Sequence, residues 1–274
     1  MGTTQRISSG VKNEPNWGSL TSSTTSAAKT IENIQEKENE KESGTPEQIE
    51  KQAKQYANLI KRRDNHIKAI FDRLVRIGGG SKNISSGKSS AIGRAGLRSS
   101  KKMATFFSSA GVNGFESALK EIGFDSLTGK TVQNVIDYLI TYCTKDAAVG
   151  MDETAANKAI CEVLRSIEVN ANDDLTNLNS LFSGFADDKM LSDILCNFFG
   201  VYIFEYLSER LEERISQIRG EAISKETFDL IKKDIMGRVA RLNENRIISN
   251  VDWAGEEGKN EIEKIFDSII KIEE

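Results

Sequence analysis

Ile194–Phe204 reads ILCNFFGVYIF, the longest apolar patch in the chain, and the fold turns on it. A membrane-spanning helix needs about 20 apolar residues, so this patch is too short, and Asn197 and Gly200 interrupt it. It sits inside Asp187–Arg219, which reads as one long helix. That helix is apolar almost all round at first, then amphipathic through Leu207, Leu211, Ile215 and Ile218. A helix without a polar face is a buried one, so its first half is expected at the centre of a bundle.

Working outward, helical spacing recurs on both sides. Val132, Val135, Ile136, Leu139, Ile140 and Cys143 form one stripe. Ala156, Ala159, Ile160, Val163, Leu164 and Ile167 form a second, with Asp152 placed to cap it. Leu175, Leu178, Leu181 and Phe182 form a shorter one. Ser224 opens a helix carrying Phe228, Ile231, Ile235, Val239 and Leu242, and Ile262, Ile265, Phe266, Ile269 and Ile270 mark the last. No run alternates as a strand would, and Pro15 and Pro46 are the only prolines, so nothing breaks helices in the last two thirds. The expected class is all-α, with a helical domain over 103–274.

Three segments precede that domain. Residues 1–44 are poor in large apolar side chains and rich in Ser, Thr, Asn, Glu and Lys, and are expected to form a flexible, disordered tail. Residues 45–77 begin with Thr45-Pro46-Glu47-Gln48, a capping box with proline at the first helical position. Ile49, Ala53, Tyr56, Ile60, Ile67, Ile70, Leu74 and Ile77 then follow heptad steps that only Arg63 breaks, and Gly78 is expected as a left-handed cap. A seam this narrow needs a partner helix, in this chain, in a second copy or in another protein.

Residues 78–102, GGGSKNISSGKSSAIGRAGLRSSKK, contain no acid and no aromatic. From Lys61 to Lys102 there are twelve Lys/Arg against two Asp, a charge of +10 in a chain of −4, so the remainder carries −14. This basic strap faces an anionic surface or folds onto the chain's own acidic body. Three readings stay open: a solvated linker, docking onto an acidic protein, or phosphate-backbone contact through Lys82, Lys88, Arg94, Arg98, Lys101 and Lys102. The stacking aromatics of single-strand binders are missing between Phe71 and Phe106.

Signals for catalysis are weak. Gly87-Lys88-Ser89 follows Gly80 after six residues and Gly129-Lys130-Thr131 follows Gly123 after five, where a P-loop has four. Lys130-Thr131 reads more simply as the start of the helix carrying Val132. His66 is the only histidine and has no nucleophile or ligand spacing beside it. Glu205, Glu209 and Glu212 lack the Glu-x-x-His pairs of a carboxylate metal bundle and read, with Arg210 and Arg214, as an ion-paired face. Cys143, Cys161 and Cys196 are odd in number and set in apolar segments, as reduced buried thiols would be. No catalytic residue, metal or cofactor is expected. Met1-Gly2 lacks the Ser or Thr that myristoylation needs at the sixth position, where Arg6 stands, and no signal peptide is visible. The expected address is the cytoplasm, without membrane contact.

The order of several strings is distinctive: Met1-Gly-Thr3, Pro15-Asn-Trp-Gly18, Arg73-Leu-Val-Arg76, Gly78-Gly-Gly-Ser81, Ile92-Gly-Arg-Ala-Gly96, Met151-Asp-Glu-Thr-Ala-Ala-Asn-Lys158 and Val251-Asp-Trp253. In this the chain resembles the QatB family of the bacterial qatABCD anti-phage operon. The resemblance implies a non-enzymatic immunity protein that works with a QueC-like enzyme, the QatC-like product of the same operon, and beside an ATPase and a TatD-like nuclease. By analogy with a QueC-like enzyme of another defence system, it also implies modification of Gly2 by a deazaguanine. Gly2, Thr3, Thr4, Arg6 and Trp17 are the residues the resemblance puts forward for the partner.

Overall fold

The computed structural model describes residues 17–39, 45–145 and 149–271. Among them are eleven α-helices, one 3-10 turn (Gly184–Ala186) and no strand, so the chain is all-α as expected. The helices are α1 (Gly18–Asn39), α2 (Pro46–Ile77), α3 (Ser81–Ser85), α4 (Arg94–Asn113), α5 (Phe115–Glu121) and α6 (Val132–Thr144). Then come α7 (Met151–Ala171), α8 (Leu175–Ser183), α9 (Asp188–Arg219), α10 (Glu221–Asn245) and α11 (Glu256–Ile270).

The helix built on ILCNFFGVYIF is α9, and α1, α4, α7, α10 and α11 all pack against it. Leu195, Phe198, Phe199, Tyr202 and Ile203 are fully buried, and Phe199 stacks on Phe266 of α11 with ring centroids 4.4 Å apart. By length and composition α9 passes as a membrane span, but most of its apolar window lies inside the bundle. Its start is capped by Asp187, whose carboxylate accepts from the N–H groups of Lys189 (2.7 Å) and Met190 (3.1 Å). A second aromatic cluster forms at one end, where Phe182 lies against Phe106, Phe107, Phe115 and Phe185.

Several expectations are corrected. Within the stretch expected as a flexible tail, Gly18–Asn39 form α1, which packs along α2 and touches α9 and α10; residues 1–16 and 40–44 lie outside the described residues. The composition misled because Leu20, Thr24, Ala27, Ile31 and Ile34 fall at alternating four- and three-residue steps and are buried, with small residues between them. Thr21, Thr24, Thr25, Ser26 and Thr30 each donate their hydroxyl to the carbonyl four residues earlier, so they enter an interface without stranding a polar group. The partner of the α2 seam is therefore α1, antiparallel to it: Arg73 reaches Ser23 (2.6 Å) and Tyr56 reaches Glu38 (2.6 Å).

The strap is folded as well. It contains α3, and α4 starts at Arg94 and runs unbroken past residue 102. Gly78 has ordinary helical geometry (φ −74°), and the left-handed turn falls on Gly79 (φ 78°). α10 starts at Glu221, earlier than Ser224, because Gly220 (φ 86°) turns the chain between the two long helices. Asp152 does not cap its own helix; Gly150 holds that position.

Phe199→Ala is expected to cost about 3–5 kcal/mol, since it removes a fully buried ring at the α9–α11 contact. A urea titration should show a lower midpoint with an unchanged slope.

Candidate functional site

Three residues on one face of α9, Tyr202, Tyr206 and Arg210, together hold three distant segments. Tyr202 is fully buried and donates its hydroxyl to Asp152 Oδ1 of α7. The Gly93 N–H donates both to Tyr202 Oη (2.7 Å) and to Asp152 Oδ1 (3.1 Å), and the Ala95 N–H donates to Asp152 Oδ2 (2.9 Å). The carboxylate that starts α7 thus caps α4. Gly93 cannot supply that cap, having no side chain; its φ of 118° and the carbonyl of Ile84, only 2.2 Å from where a Cβ would sit, leave room for glycine alone. At Gly96 a Cβ would come within 2.5 Å of the Tyr202 ring, so the glycine is what lets α4 lie on α9. One turn on, Arg98 pairs with the buried Glu153.

Tyr206 donates to the carbonyl of Ala91 (2.8 Å), and its ring meets Trp17 at 6.0 Å. The Arg210 guanidinium lies over the Trp17 ring, 4.7 Å from its centre, and approaches Met151 Sδ at 3.7 Å. Trp17 and two of the strings noted in the sequence, Ile92–Gly96 and Met151–Lys158, therefore meet on one stripe of one helix. A fourth, Val251–Trp253, closes the opposite end of α9: Trp253 Nε1 donates to Asp188 Oδ1 (2.7 Å) and the Val251 N–H to Oδ2 (3.2 Å).

The candidate residues divide accordingly. Gly2, Thr3, Thr4 and Arg6 lie outside the described residues, whereas Trp17 is half-buried against α9. Of the six strap cations, Arg98 is committed to Glu153, and Lys102 donates to the carbonyls of Lys145 (2.7 Å) and Tyr142 (3.4 Å). Lys82, Lys88 and Arg94 are exposed and Lys101 is half-exposed, with no ion pair among the described residues. The strap has folded onto the chain's own acids without spending all its charge.

Two of the three α9 glutamates bind a lysine rather than their neighbouring arginines, and Glu212 accepts from the Ser208 hydroxyl. Lys158 of α7 bridges Glu209 (2.6 Å) and Glu205 (3.5 Å), and the hydrogen bond it donates to Glu209 raises its pKa. Arg210 turns to Trp17 instead. No group of three or more His, Cys, Asp or Glu among the described residues could hold a metal ion. Thr131 caps α6 by accepting from the Asn134 N–H (3.2 Å), which accounts for Lys130-Thr131 as a helix start. Burial pushes the thiols of Cys143 and Cys196 up to about 12, well above reactive range, and raises that of half-buried Cys161.

Two outcomes follow. Asp152→Ala leaves the Ala95 N–H and the buried Tyr202 hydroxyl without an acceptor and the Gly93 N–H with Tyr202 Oη alone, and should cost about 2–4 kcal/mol. Limited proteolysis should then cut first between residues 78 and 98, because that stretch loses its tie to α7. The second outcome concerns alkaline pH. Burial, then the Asp152 charge, raises the pKa of Tyr202 and Tyr206, and burial raises Cys143 and Cys196. All four are held neutral in the fold, so the unfolded chain releases protons first as pH rises. Their stabilising contribution is intact below about pH 9 and falls progressively through pH 10–12. Denaturation midpoints at pH 7, 9 and 10 would read it; a flat profile would contradict the assignment.

A family model described as Qat anti-phage system associated protein QatB matches residues 79–272. No curated protein and no solved structure matches the chain. The matched region runs from the turn after α2 into the end of α11 and takes in both ends of the α9 stripe, with α1 and α2 lying before it. On that match, over most of its length, the chain belongs to the QatB family and is a component of an anti-phage defence system.

Proposed function

We propose that the chain is a non-enzymatic, cytoplasmic immunity protein whose N-terminal arm binds the QueC-like enzyme of its operon, with Gly2 as the residue modified. Family membership supplies the defence context and partners within the operon. The observation that carries the finer reading is the seating of Trp17 against Tyr206 and Arg210 of α9. A ring held by a tyrosine and a guanidinium gives the arm a fixed root on the helical body, at the point where the Ile92–Gly96 and Met151–Lys158 segments meet. Thr3, Thr4 and Arg6 then lie between that root and Gly2, as recognition residues for the enzyme.

Gly2 suits the chemistry. Removal of Met1 exposes an α-amine with a pKa near 8, so a usable neutral fraction is present at cellular pH, while lysine side chains remain protonated. Glycine also leaves the amine uncrowded. The enzyme contributes the activated deazaguanine, and this chain contributes the nucleophile and the surface that presents it.

Gly2→Glu should retain Met1, crowd the amine and abolish phage defence, with the helical content and melting temperature unchanged. Intact mass spectrometry of wild-type protein co-expressed with its operon should show loss of Met1 and an added nucleobase mass on the N-terminal peptide. Fully active protein with an unmodified Gly2 would rule out conjugation, and a chain that ignores the QueC-like enzyme in pull-down would rule out the partner.

A further inference from the structure

Between α2, α10 and α11 lies a groove of about 570 Å³, a volume within the range of ligand sites, into which two helices and the end of a third send cations. Arg238 and Arg241 stand one turn apart on α10, Lys68 comes from α2 and Lys271 from the residue that follows α11. Arg238 is fixed in place: its guanidinium lies 4.1 Å from the centre of the Phe71 ring and pairs with Asp234 at 2.7 Å. The other lining carboxylate, Asp64, is taken by Arg63 at 2.8 Å, and Lys271 is paired with Asp267. The side chains of Lys68 and Arg241 have no hydrogen bond or ion pair among the described residues. Among the described residues the lining carboxylates are already engaged, and those residues present unspent positive charge at a concave surface, which focuses the field on an incoming anion.

The ligand's chemistry follows from what lines the groove. Guanidinium forks match the spacing of phosphate oxygens. Among the described residues Leu242 is the only apolar one in the lining, and Phe71 is buried beneath Arg238, so none of them offers a free ring face to stack a base. On the α3 side of α11 a second groove of about 510 Å³ carries Lys82, Lys88 and Lys264, tempered by Glu263 and Asp267. Lys264 and Ser268 fall on successive turns of α11 and Lys271 just past its end, so that this helix joins the two grooves. A single nucleotide fills one such groove, whereas a ligand with regularly repeated phosphates engages both.

We propose that the grooves flanking α11 bind the phosphate backbone of nucleic acid without reading its bases, through Arg238, Arg241 and Lys68, with Lys82 and Lys88 extending the track. This does not depend on Gly2 or on the QueC-like partner. It shifts the cationic surface from the strap alone to a face shared by α2, α3, α10 and α11.

The test uses the full chain and fluorescence anisotropy with labelled single-stranded and duplex DNA of about 20 nucleotides, at about 50 and 200 mM salt. Wild-type protein should bind either DNA at low salt and lose affinity steeply as salt rises, irrespective of sequence. Lys68→Glu/Arg241→Glu changes two exposed, unpartnered side chains, so the melting temperature should hold. Affinity should fall at least about tenfold and the salt slope by about two. No binding by wild type at the lower salt, or equal binding by the double variant, would overturn the proposal. Displacement of DNA by inorganic triphosphate at equal phosphate concentration would also overturn it, in favour of a small phosphate ligand.

Discussion

One carboxylate governs how this molecule closes. The first turn of α4 begins at a glycine that has no side chain to satisfy its amides, and an uncapped helix start buried against two other helices would be costly. Asp152, on another helix, accepts from two of those amides and from the Tyr202 hydroxyl at once. Its charge also sits at the positive end of the α4 dipole. Because the cap is lent by α7 and the hydroxyl by α9, α4 forms in this place only when all three helices meet. The contacts around it depend on that meeting: Gly96 against the Tyr202 ring, Arg98 with Glu153, and Ala91 with Tyr206.

The same closure sorts the charge. The cationic stretch after α2 gives part of itself to the acids of α7, and its Lys82 and Lys88 line a groove beside α11. The glutamates of α9 gather about Lys158, near the segments fixed by Arg210. The net charge of −4 therefore describes no single surface of the protein. It averages a face with spare lysines and arginines and another with spare carboxylates, and partners of opposite character are directed to different sides by the field alone.

The elements legible in the sequence were those whose burial leaves a large apolar trace. ILCNFFGVYIF could only be a core helix, and the stripes through Val135, Ile160 and Phe266 lie in the core where spacing put them. Helix α1 was hidden because its interface is made of Thr, Ser and Ala, and hydroxyls bonded back to their own helix are as buriable as they are polar. The strap was hidden for a related reason: glycines and serines that read as a linker are there because backbones approach closely, at Gly93 and Gly96. The convergence of Trp17, Ile92–Gly96 and Met151–Lys158 could not be read from spacing, since the acceptor and its donors are more than fifty residues apart. Only the family strings hinted at it, and they carried no geometry. The α2–α10–α11 groove left no trace at all, because its arginines look like ordinary solvated positions of a helix.

The seat of Trp17 sets a leash. Fourteen residues lie between it and Gly2, fifteen steps along the chain, and at no more than about 3.5 Å per step the amine cannot travel beyond about 50 Å from Tyr206 and Arg210. An enzyme that acts on Gly2 must bring its catalytic centre inside that radius, and the nearer it docks to the α9 stripe, the more the reaction behaves as though the two were already joined. Loosening the tryptophan would lengthen the leash without touching the amine, slowing modification by dilution rather than by chemistry.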